Sequence, residues 1–253
     1  MSDEKTDAIV IRTVDFSETS SIVTFFTKDF GKISALAKGA RRKKGPFESA
    51  LDLLATCRIV FLHKTGDSLD LLTEAKLQHR LRASENGLSR LYSSYYMAEL
   101  LRNFTDEMDP HPRLFDISLE CLRDLENSDL EYEPTVLRYE LSLLQEIGQA
   151  PSLRRCVACG RDVAALHRIA FGLLAGGVLC DGCRRGQRRI VSLRVEVIEI
   201  LSEFGDPSSS NWRNNSSYKN HEKEIRPFVN NYFAELLGKR PRMFGYIPIL
   251  GRS

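Results

Sequence analysis

The sequence has 253 residues, of which 42% are hydrophobic and 28% are charged, and its formal net charge is +2. These shares are typical of a globular protein, and the length predicts one large domain or two to three small ones. The longest uncharged apolar run, residues 169–180, is shorter than the roughly twenty residues that span a bilayer. The N-terminus also lacks the apolar core of a signal peptide, so we expect a cytoplasmic protein without a membrane segment.

The first eighty residues predict five short β-strands. The strands are predicted over residues 8–14, 20–27, 33–36, 53–63 and 69–77. Between the second and third strands, residues 28–32 predict a hairpin turn in which Gly31 adopts a positive φ. Five strands in about eighty residues indicate a small closed barrel. A five-stranded OB-fold barrel fits this count, and an SH3-like barrel fits it nearly as well.

A basic loop follows the third predicted strand. Its five cations lie within residues 38–44, namely Lys38, Arg41, Arg42, Lys43 and Lys44. Gly39 and Gly45 lie near the two ends of this loop, and no acidic residue interrupts the cations. Cations at this density pair with phosphates, and such binding is sensitive to salt and indifferent to base sequence. Nearby aromatic residues, Phe25, Phe26 and Phe30, suggest stacking on bases, although only one of Phe25 and Phe26 can face a ligand. The alternative is a solvated turn without a ligand.

The chain then changes to helical periodicity. Helices are predicted to begin at Ser84, near His111, at Pro134 and at Ser192, and to run from about Glu222 to Leu237. The segment 208–217 contains eight Ser and Asn residues in ten, so we expect a mobile loop with nothing to bury. Residues 81–150 contain six basic and fourteen acidic residues, whereas residues 151–253 contain seventeen and nine. A polyanion is therefore expected to meet the ends of the chain and not its middle.

Four of the six cysteines form two CxxC pairs separated by twenty residues: Cys156, Cys159, Cys180 and Cys183. Two such turns direct four thiolates to one point, and this spacing predicts one structural zinc ion per chain. A redox disulfide of the thioredoxin type requires one CxxC motif after a strand and fits less well. A catalytic zinc needs an open position that four sulfurs do not leave. Cys57 and Cys121 are expected in the core, and His167 at the surface.

Four arginines follow the last cysteine pair, namely Arg184, Arg185, Arg188 and Arg189. They predict a second surface for the DNA backbone, and the alternative is a solvated charged face. The sequence contains no nucleotide-binding, zinc-protease or nucleophile-elbow motif, so we expect a protein that is not an enzyme. Two other classes remain open: a zinc-ribbon accessory protein of transcription or translation that binds RNA or protein, and an assembly scaffold without nucleic-acid contact.

Several segments together resemble the RecO family of bacterial recombination mediators. They are AIVIRTVDFSETSSIVTFFTKDFGKISALAKGARR, LTEAKL, LRYELSLLQEIGQAPSLRRCVACG and VNNYFAELLGKRPRMF. The resemblance covers nearly the whole chain. It implies an α+β multidomain protein with an N-terminal OB-fold β-barrel, followed by an α-helical domain with an inserted four-cysteine zinc site. The expected divisions are residues 1–80 for the barrel, 81–150 for the first helical part, 151–190 for the zinc segment and 191–253 for the C-terminal helical part.

The resemblance also implies a function in DNA repair and recombination. Members of this family bind single- and double-stranded DNA and anneal complementary strands. With RecR they help to load the RecA recombinase onto strands covered by single-strand-binding protein. They also hold the acidic C-terminal tail of single-strand-binding protein in an apolar pocket with a basic rim, for which Arg123 and Arg138 are the candidates in this chain. The expected location is the bacterial cytoplasm, in association with the nucleoid.

Overall fold

The structure is a computed structural model that describes residues 2–42, 47, 50–64, 69–163 and 167–247. Its contacts divide the chain into two compact units, residues 1–130 and 131–253. Within the described ranges, no helix is both long enough and apolar enough to cross a membrane.

The first unit begins with a closed five-stranded barrel. Its strands are β1 (Ser2–Asp15), β2 (Ser21–Thr27), β3 (Gly31–Ala37), β4 (Thr56–His63) and β5 (Asp70–His79). The strand order is β1-β2-β3-β5-β4, and β4 pairs back to β1 to close the barrel. All pairs are antiparallel except β3 with β5. The predicted OB-like barrel is therefore confirmed, and all five strands overlap the predicted segments, although β1 begins six residues earlier and β4 three residues later than predicted.

The hairpin between β2 and β3 depends on Gly31. This residue has a φ of 68°, a backbone conformation that glycine adopts without steric cost. A Cβ atom at position 31 would also lie only 2.0 Å from the carbonyl oxygen of Asp109. Thr27 Oγ1 donates a hydrogen bond to the carbonyl oxygen of Gly31 at 2.8 Å and fixes the turn further.

Of the three aromatic residues expected to offer a stacking surface, two are core residues and Phe30 is half-buried beside them. The side chains of Phe25 and Phe26 are both fully buried. Phe26 packs against Phe115 with ring centroids 6.2 Å apart, outside the barrel, and Phe30 contacts Phe61 edge to face at 5.4 Å. The expectation that Phe25 or Phe26 faces a base is therefore wrong, because Phe25 lies inside the barrel and α2 covers Phe26 on the outer face of the strand.

Two helices complete the first unit, α1 (Leu88–Phe104) and α2 (Pro112–Glu126). Ser84 does not cap α1 as predicted, because it lies in a short 3₁₀ helix, Ala83–Asn86, and α1 begins after Gly87. One ion pair and one hydrogen bond connect the barrel with these helices. Lys28 forms an ion pair with Asp116 of α2 at 2.8 Å, and Lys32 Nζ donates a hydrogen bond to the carbonyl oxygen of Arg102 at the end of α1, at 3.1 Å.

The second unit combines three helices with a small antiparallel sheet. Its elements are α3 (Tyr132–Glu146), β6 (Arg168–Gly172), β7 (Gly177–Leu179), β8 (Ile190–Arg194), α4 (Val195–Gly205) and α5 (Ser217–Leu237). The sheet order is β7-β6-β8. Phe171 of β6 packs against Phe228 and Tyr232 of α5, with ring centroids 4.8 and 5.7 Å apart. This packing holds the sheet, and the cysteine turns at its end, on the helical core.

Two local predictions in this unit are wrong. Ser192 does not cap a helix, because it lies within β8, and α4 begins three residues later. The segment 208–217 does bury a residue: Trp212 lies in a short 3₁₀ helix with only 4% of its surface exposed. Its ring contacts Phe204 at 6.0 Å, and the guanidinium of Arg213 lies 4.4 Å from its centroid.

Candidate metal centre and nucleic-acid interface

Two tight turns position the four cysteines. In the first turn, the backbone N–H of Gly160 donates to the carbonyl oxygen of Cys156 at 2.8 Å, and Gly160 has a φ of 73°. The N–H of Cys156 donates to the carbonyl oxygen of Arg161, also at 2.8 Å. In the second turn, the N–H groups of Cys183 and Arg184 both donate to the carbonyl oxygen of Cys180 at 3.0 Å. Each turn therefore directs its two side chains to the same side.

The two turns bring the thiol cluster, Cys156, Cys159, Cys180 and Cys183, to one point. Its four Sγ atoms lie within 4.8 Å of one another, and all four thiols are free. The Sγ atoms of Cys159 and Cys180 are 3.8 Å apart. In a tetrahedron with metal–sulfur bonds of about 2.3 Å, the sulfur–sulfur distance is about 3.8 Å. The cluster therefore fits a tetrahedral ion bound by four thiolates, without an open position for a substrate.

The pKa values of the thiol cluster are shifted in opposite directions, so some of its cysteines lose their proton more readily than others. The Arg161 guanidinium, which donates a hydrogen bond to Cys159 Sγ, lowers the pKa of Cys159 to about 6. Hydrogen bonds with Cys180 and then Cys159 raise the pKa of Cys183 to about 12. Neighbouring sulfurs compete for negative charge in this way, and a divalent cation at their centre removes the competition by stabilising all four thiolates.

The arginine segment, residues 184–189, lies at the surface of the second unit directly after the thiol cluster. Arg184 forms an ion pair with Asp181 at 3.3 Å, and Arg189 forms one with Glu235 at 2.9 Å. Within the described ranges, Arg185 and Arg188 make no ion pair. The segment is thus exposed as predicted, but two of its four positive charges are partly neutralised.

Two further cations lie beside Arg189. A groove of about 450 Å³ is lined by Arg189, by Ile190 and Val191 of β8, and by Lys239 and Arg240 after the end of α5. Lys239 and Arg240 are both exposed. Neither was among the residues predicted from sequence to contact DNA, although the run Gly-Lys-Arg-Pro-Arg after the helix is a basic signal. The fold joins this run to the arginine segment as one basic surface.

The basic loop is held against the turn between β1 and β2. The backbone N–H of Arg41 donates to the carbonyl oxygen of Thr19 at 3.1 Å, and its guanidinium donates to the carbonyl oxygen of Ser17 at 2.8 Å. The same guanidinium forms an ion pair with Asp15 at 3.2 Å. Lys38 and Arg42 are exposed, whereas Lys43 and Lys44 lie outside the described residues. Asp15 is distant from the loop in sequence, so the local sequence pattern does not reveal this neutralising partner.

A second, apolar groove of about 280 Å³ lies between α3 and α4. Leu141, Leu201, Pro151 and Leu153 contribute apolar surface, and Arg154 also lines the groove. Of the two cations proposed for such a pocket, Arg138 lies beside this groove: its Nη1 donates to the carbonyl oxygens of Phe204 at 2.6 Å and of Asp206, which lines the groove, at 2.8 Å. Arg123 is exposed on α2 of the first unit.

Comparison with known proteins identifies similarity along almost the whole chain. Two family models match, "Recombination protein O N terminal" over residues 1–80 and "Recombination protein O C terminal" over residues 85–243. The DNA repair protein RecO of Rhodopirellula baltica is 39% identical over 264 residues, which cover 95% of this chain and 97% of that protein. The DNA repair protein RecO of Bacillus pumilus is 28% identical, covering 92% and 89%. That of Listeria welshimeri is 27% identical, covering 79% and 76%.

Proposed function

Because the chain belongs to the RecO family of DNA repair proteins, we propose that it binds single- and double-stranded DNA and anneals complementary strands. In this proposal it acts with RecR to help load RecA onto DNA covered by single-strand-binding protein. The observation that carries the proposal is the presence of one exposed basic surface in each compact unit. They are the basic loop in the first unit and the arginine segment with Lys239 and Arg240 in the second.

Annealing two strands requires neutralisation of two phosphate backbones at the same time. Each lysine or arginine that pairs with a phosphate releases condensed counterions, which contributes free energy without reading the bases. Arg42 and Lys38 in the first unit, and Arg185 and Arg188 in the second, are exposed for such contacts. Sequence-independent contacts suit a protein that must pair any complementary strands. Annealing requires the protein to bind and position DNA strands, so we propose that it has no catalytic activity.

We propose that the metal held by the thiol cluster is zinc, one ion per chain, with a structural role. Zinc accepts four thiolates in tetrahedral geometry, and binding it contributes free energy of folding directly. Cys156, Cys159, Cys180 and Cys183 would hold it. The cluster connects the segment after α3 with the start of the arginine segment, so the metal would fix the position from which these arginines extend.

We propose that the apolar groove between α3 and α4 receives the acidic tail of single-strand-binding protein. Its leucines offer apolar surface, and Arg154 offers a positive charge. This combination suits a short peptide that carries both apolar and acidic groups. The proposal places the protein in the bacterial cytoplasm, associated with the nucleoid through its DNA.

The function is tested by annealing of complementary oligonucleotides coated with single-strand-binding protein. We expect this protein to accelerate annealing, and we expect the acceleration to fall as salt is raised, because phosphate contacts supply the binding. A zinc-ribbon accessory protein of transcription or a scaffold would leave the rate unchanged. Binding of labelled single- and double-stranded DNA without single-strand-binding protein separates a failure of DNA binding from a failure to displace the coating protein.

A further inference from the structure

Arg161 contacts two sulfurs of the thiol cluster from the side of the first cysteine turn. Its Nε donates to Cys159 Sγ at 3.4 Å, and its Nη2 reaches Cys180 Sγ at 3.9 Å. The two sulfurs belong to different turns, so one guanidinium spans both. Its backbone carbonyl oxygen accepts the N–H of Cys156 at 2.8 Å, which fixes the position from which the side chain extends.

Two neighbouring arginines pair with carboxylates instead. Arg155 forms an ion pair with Asp162 at 3.3 Å, and Arg184 forms one with Asp181 at the same distance. Among the arginines that the structure describes in this segment, Arg161 is the one whose guanidinium donates to cysteine sulfur. The contact is therefore a specific feature of the cluster and not a general consequence of an arginine-rich segment.

The contact between Arg161 and the two sulfurs would offset negative charge on the metal centre. Four thiolates around one divalent ion leave a net charge of −2 on the centre, at a place where Cys159 is exposed to solvent. A guanidinium that donates to two of the sulfurs offsets part of this charge and orients their lone pairs. It also connects the two turns, so that neither can open without breaking a hydrogen bond.

We propose that Arg161 is a positioning residue of the metal centre, which holds the thiolates of Cys159 and Cys180 together and slows loss of the ion to competing ligands. The inference rests on the proposed metal site. It assigns a role to Arg161 that is separate from DNA binding, because its guanidinium faces sulfur and not a phosphate.

The test compares Arg161→Gln and Arg161→Lys with Arg155→Gln as the matched control, since Arg155 is an exposed arginine of the same turn whose guanidinium pairs with Asp162. Each zinc-loaded protein is mixed with an excess of a colorimetric chelator, and the rate of zinc transfer and the apparent affinity are measured. Partners of metal ligands typically contribute about 10- to 100-fold in metal affinity. We expect a loss in this range for Arg161→Gln, a smaller loss for Arg161→Lys, and almost none for Arg155→Gln.

A second readout distinguishes positioning from general destabilisation. In the cobalt-substituted proteins, the thiolate-to-metal absorption bands of Arg161→Gln are expected to shift, whereas those of Arg155→Gln coincide with the parent. If Arg161→Gln releases zinc as slowly as Arg155→Gln and has the parent spectrum, the inference is wrong, although the metal site stands. If the parent protein itself binds no metal, the proposed metal site fails first.

Discussion

The Sγ atoms of Cys159 and Cys180 lie 3.8 Å apart although the two residues are twenty-one positions apart in the sequence. Backbone pairing beside β7 brings them together. The N–H of Val157 donates to the carbonyl oxygen of Val178 at 3.0 Å, and that of Val178 donates to the carbonyl oxygen of Ser152 at 2.8 Å. The first cysteine turn is thus aligned with the strand that leads into the second. The register of this backbone pairing therefore sets the geometry of the cluster.

Replacement of Cys156 by Ser should remove the metal. Cys156 is the buried member of the thiol cluster, and three remaining thiolates leave an incomplete tetrahedron. Elemental analysis of the parent should give close to one zinc per chain, and the variant should lose it. The variant should also melt earlier, because metal binding contributes to folding. Cys121→Ser, a change at a buried helical cysteine outside the cluster, should keep its zinc. Retained zinc in Cys156→Ser would contradict the assignment.

Replacement of Gly177 by Ala should disturb the cluster from outside it. A Cβ atom at position 177 would lie 2.7 Å from Ser152 Cβ and 2.9 Å from the carbonyl oxygen of Ser152, so backbone must move. Overpacking of this kind costs about 1–3 kcal/mol. We expect a lower free energy of unfolding and faster loss of zinc. Gly245→Ala is the control, because a methyl group at position 245 would meet no heavy atom within 4 Å apart from those of its own residue and its two chain neighbours. Equal behaviour of the two variants would show that the pairing is not needed.

Much of this architecture follows from sequence, and the exceptions have physical causes. The barrel strands have seven or more residues and contain apolar runs, and a glycine turn at Gly31 marks the hairpin between β2 and β3, so the local sequence pattern agrees with the fold. β7 has only three residues, and β8 begins among arginines, so neither shows the alternation that predicts a strand. Because β8 shows no strand pattern, the sequence predicts that Ser192 caps the helix that follows it, although it lies within β8. Pairing partners outside the local sequence determine these elements.

In the candidate site, too, the sequence predicts some of the residues and not others. The CxxC spacing predicts the thiol cluster because four ligands at fixed spacing have few other uses. It does not predict Arg161 as the sulfur contact among several nearby arginines, since the choice depends on which of them pair with Asp162 and Asp181. Similarly, Lys239 and Arg240 join Arg189 only through the packing of α5 beside β8.

Replacement of Arg42 by Ala should weaken DNA binding more than replacement of Arg41. Arg42 is exposed, whereas Asp15 already neutralises part of the charge on Arg41. Loss of one phosphate contact should flatten the log–log salt dependence for single-stranded DNA by about 0.7. A fluorescence titration over a series of salt concentrations measures the slope. Arg58→Ala is the control, because Arg58 pairs with Asp7 on the barrel. An unchanged slope for Arg42→Ala would mean that the basic loop is a solvated turn.

The double replacement Lys239→Ala and Arg240→Ala should weaken DNA binding in the same way for every base sequence, because phosphate contacts do not read bases. If both side chains contact phosphates, the salt slope for single-stranded DNA should flatten by about 1.4. The double replacement of Arg185 and Arg188 should have a similar effect. Titration of several oligonucleotides of unrelated sequence gives the result. If the Lys239 and Arg240 variant binds DNA as the parent does, and the Arg185 and Arg188 variant binds DNA more weakly, then the DNA-binding surface of the second unit is limited to the arginine segment.

Glu224 should make stability depend on pH. Its carboxylate accepts the backbone N–H of Arg194 at 2.9 Å and Arg194 Nε at 2.6 Å. Burial acts to raise the pKa of Glu224, but these bonds and the nearby Arg168 outweigh it and hold the pKa below its usual value. A lowered folded-state pKa contributes stability above the unfolded-state pKa of about 4.3, and this contribution is lost as pH falls through the folded-state value.

Glu224→Gln should therefore reduce the free energy of unfolding by about 1.5 kcal/mol at pH 7, as expected for loss of a charged hydrogen-bond acceptor. The difference from the parent should shrink as the pH is lowered below the unfolded-state pKa of about 4.3. Denaturant unfolding at several pH values provides the measurement, with Glu199→Gln, at an exposed position on α4, as the control. A difference that stays constant with pH would contradict the assigned role of the charge.

The most direct test of the proposed function is the rate at which complementary oligonucleotides anneal when both are coated with single-strand-binding protein. We predict that the parent protein accelerates annealing at low salt and that this acceleration decreases as salt is raised. Charge-reversal variants of both basic surfaces, Arg42→Glu combined with Arg185→Glu and Arg188→Glu, should lose it while keeping zinc and fold. An annealing rate that the parent protein does not change at any salt concentration would contradict the proposal that it is an annealing mediator.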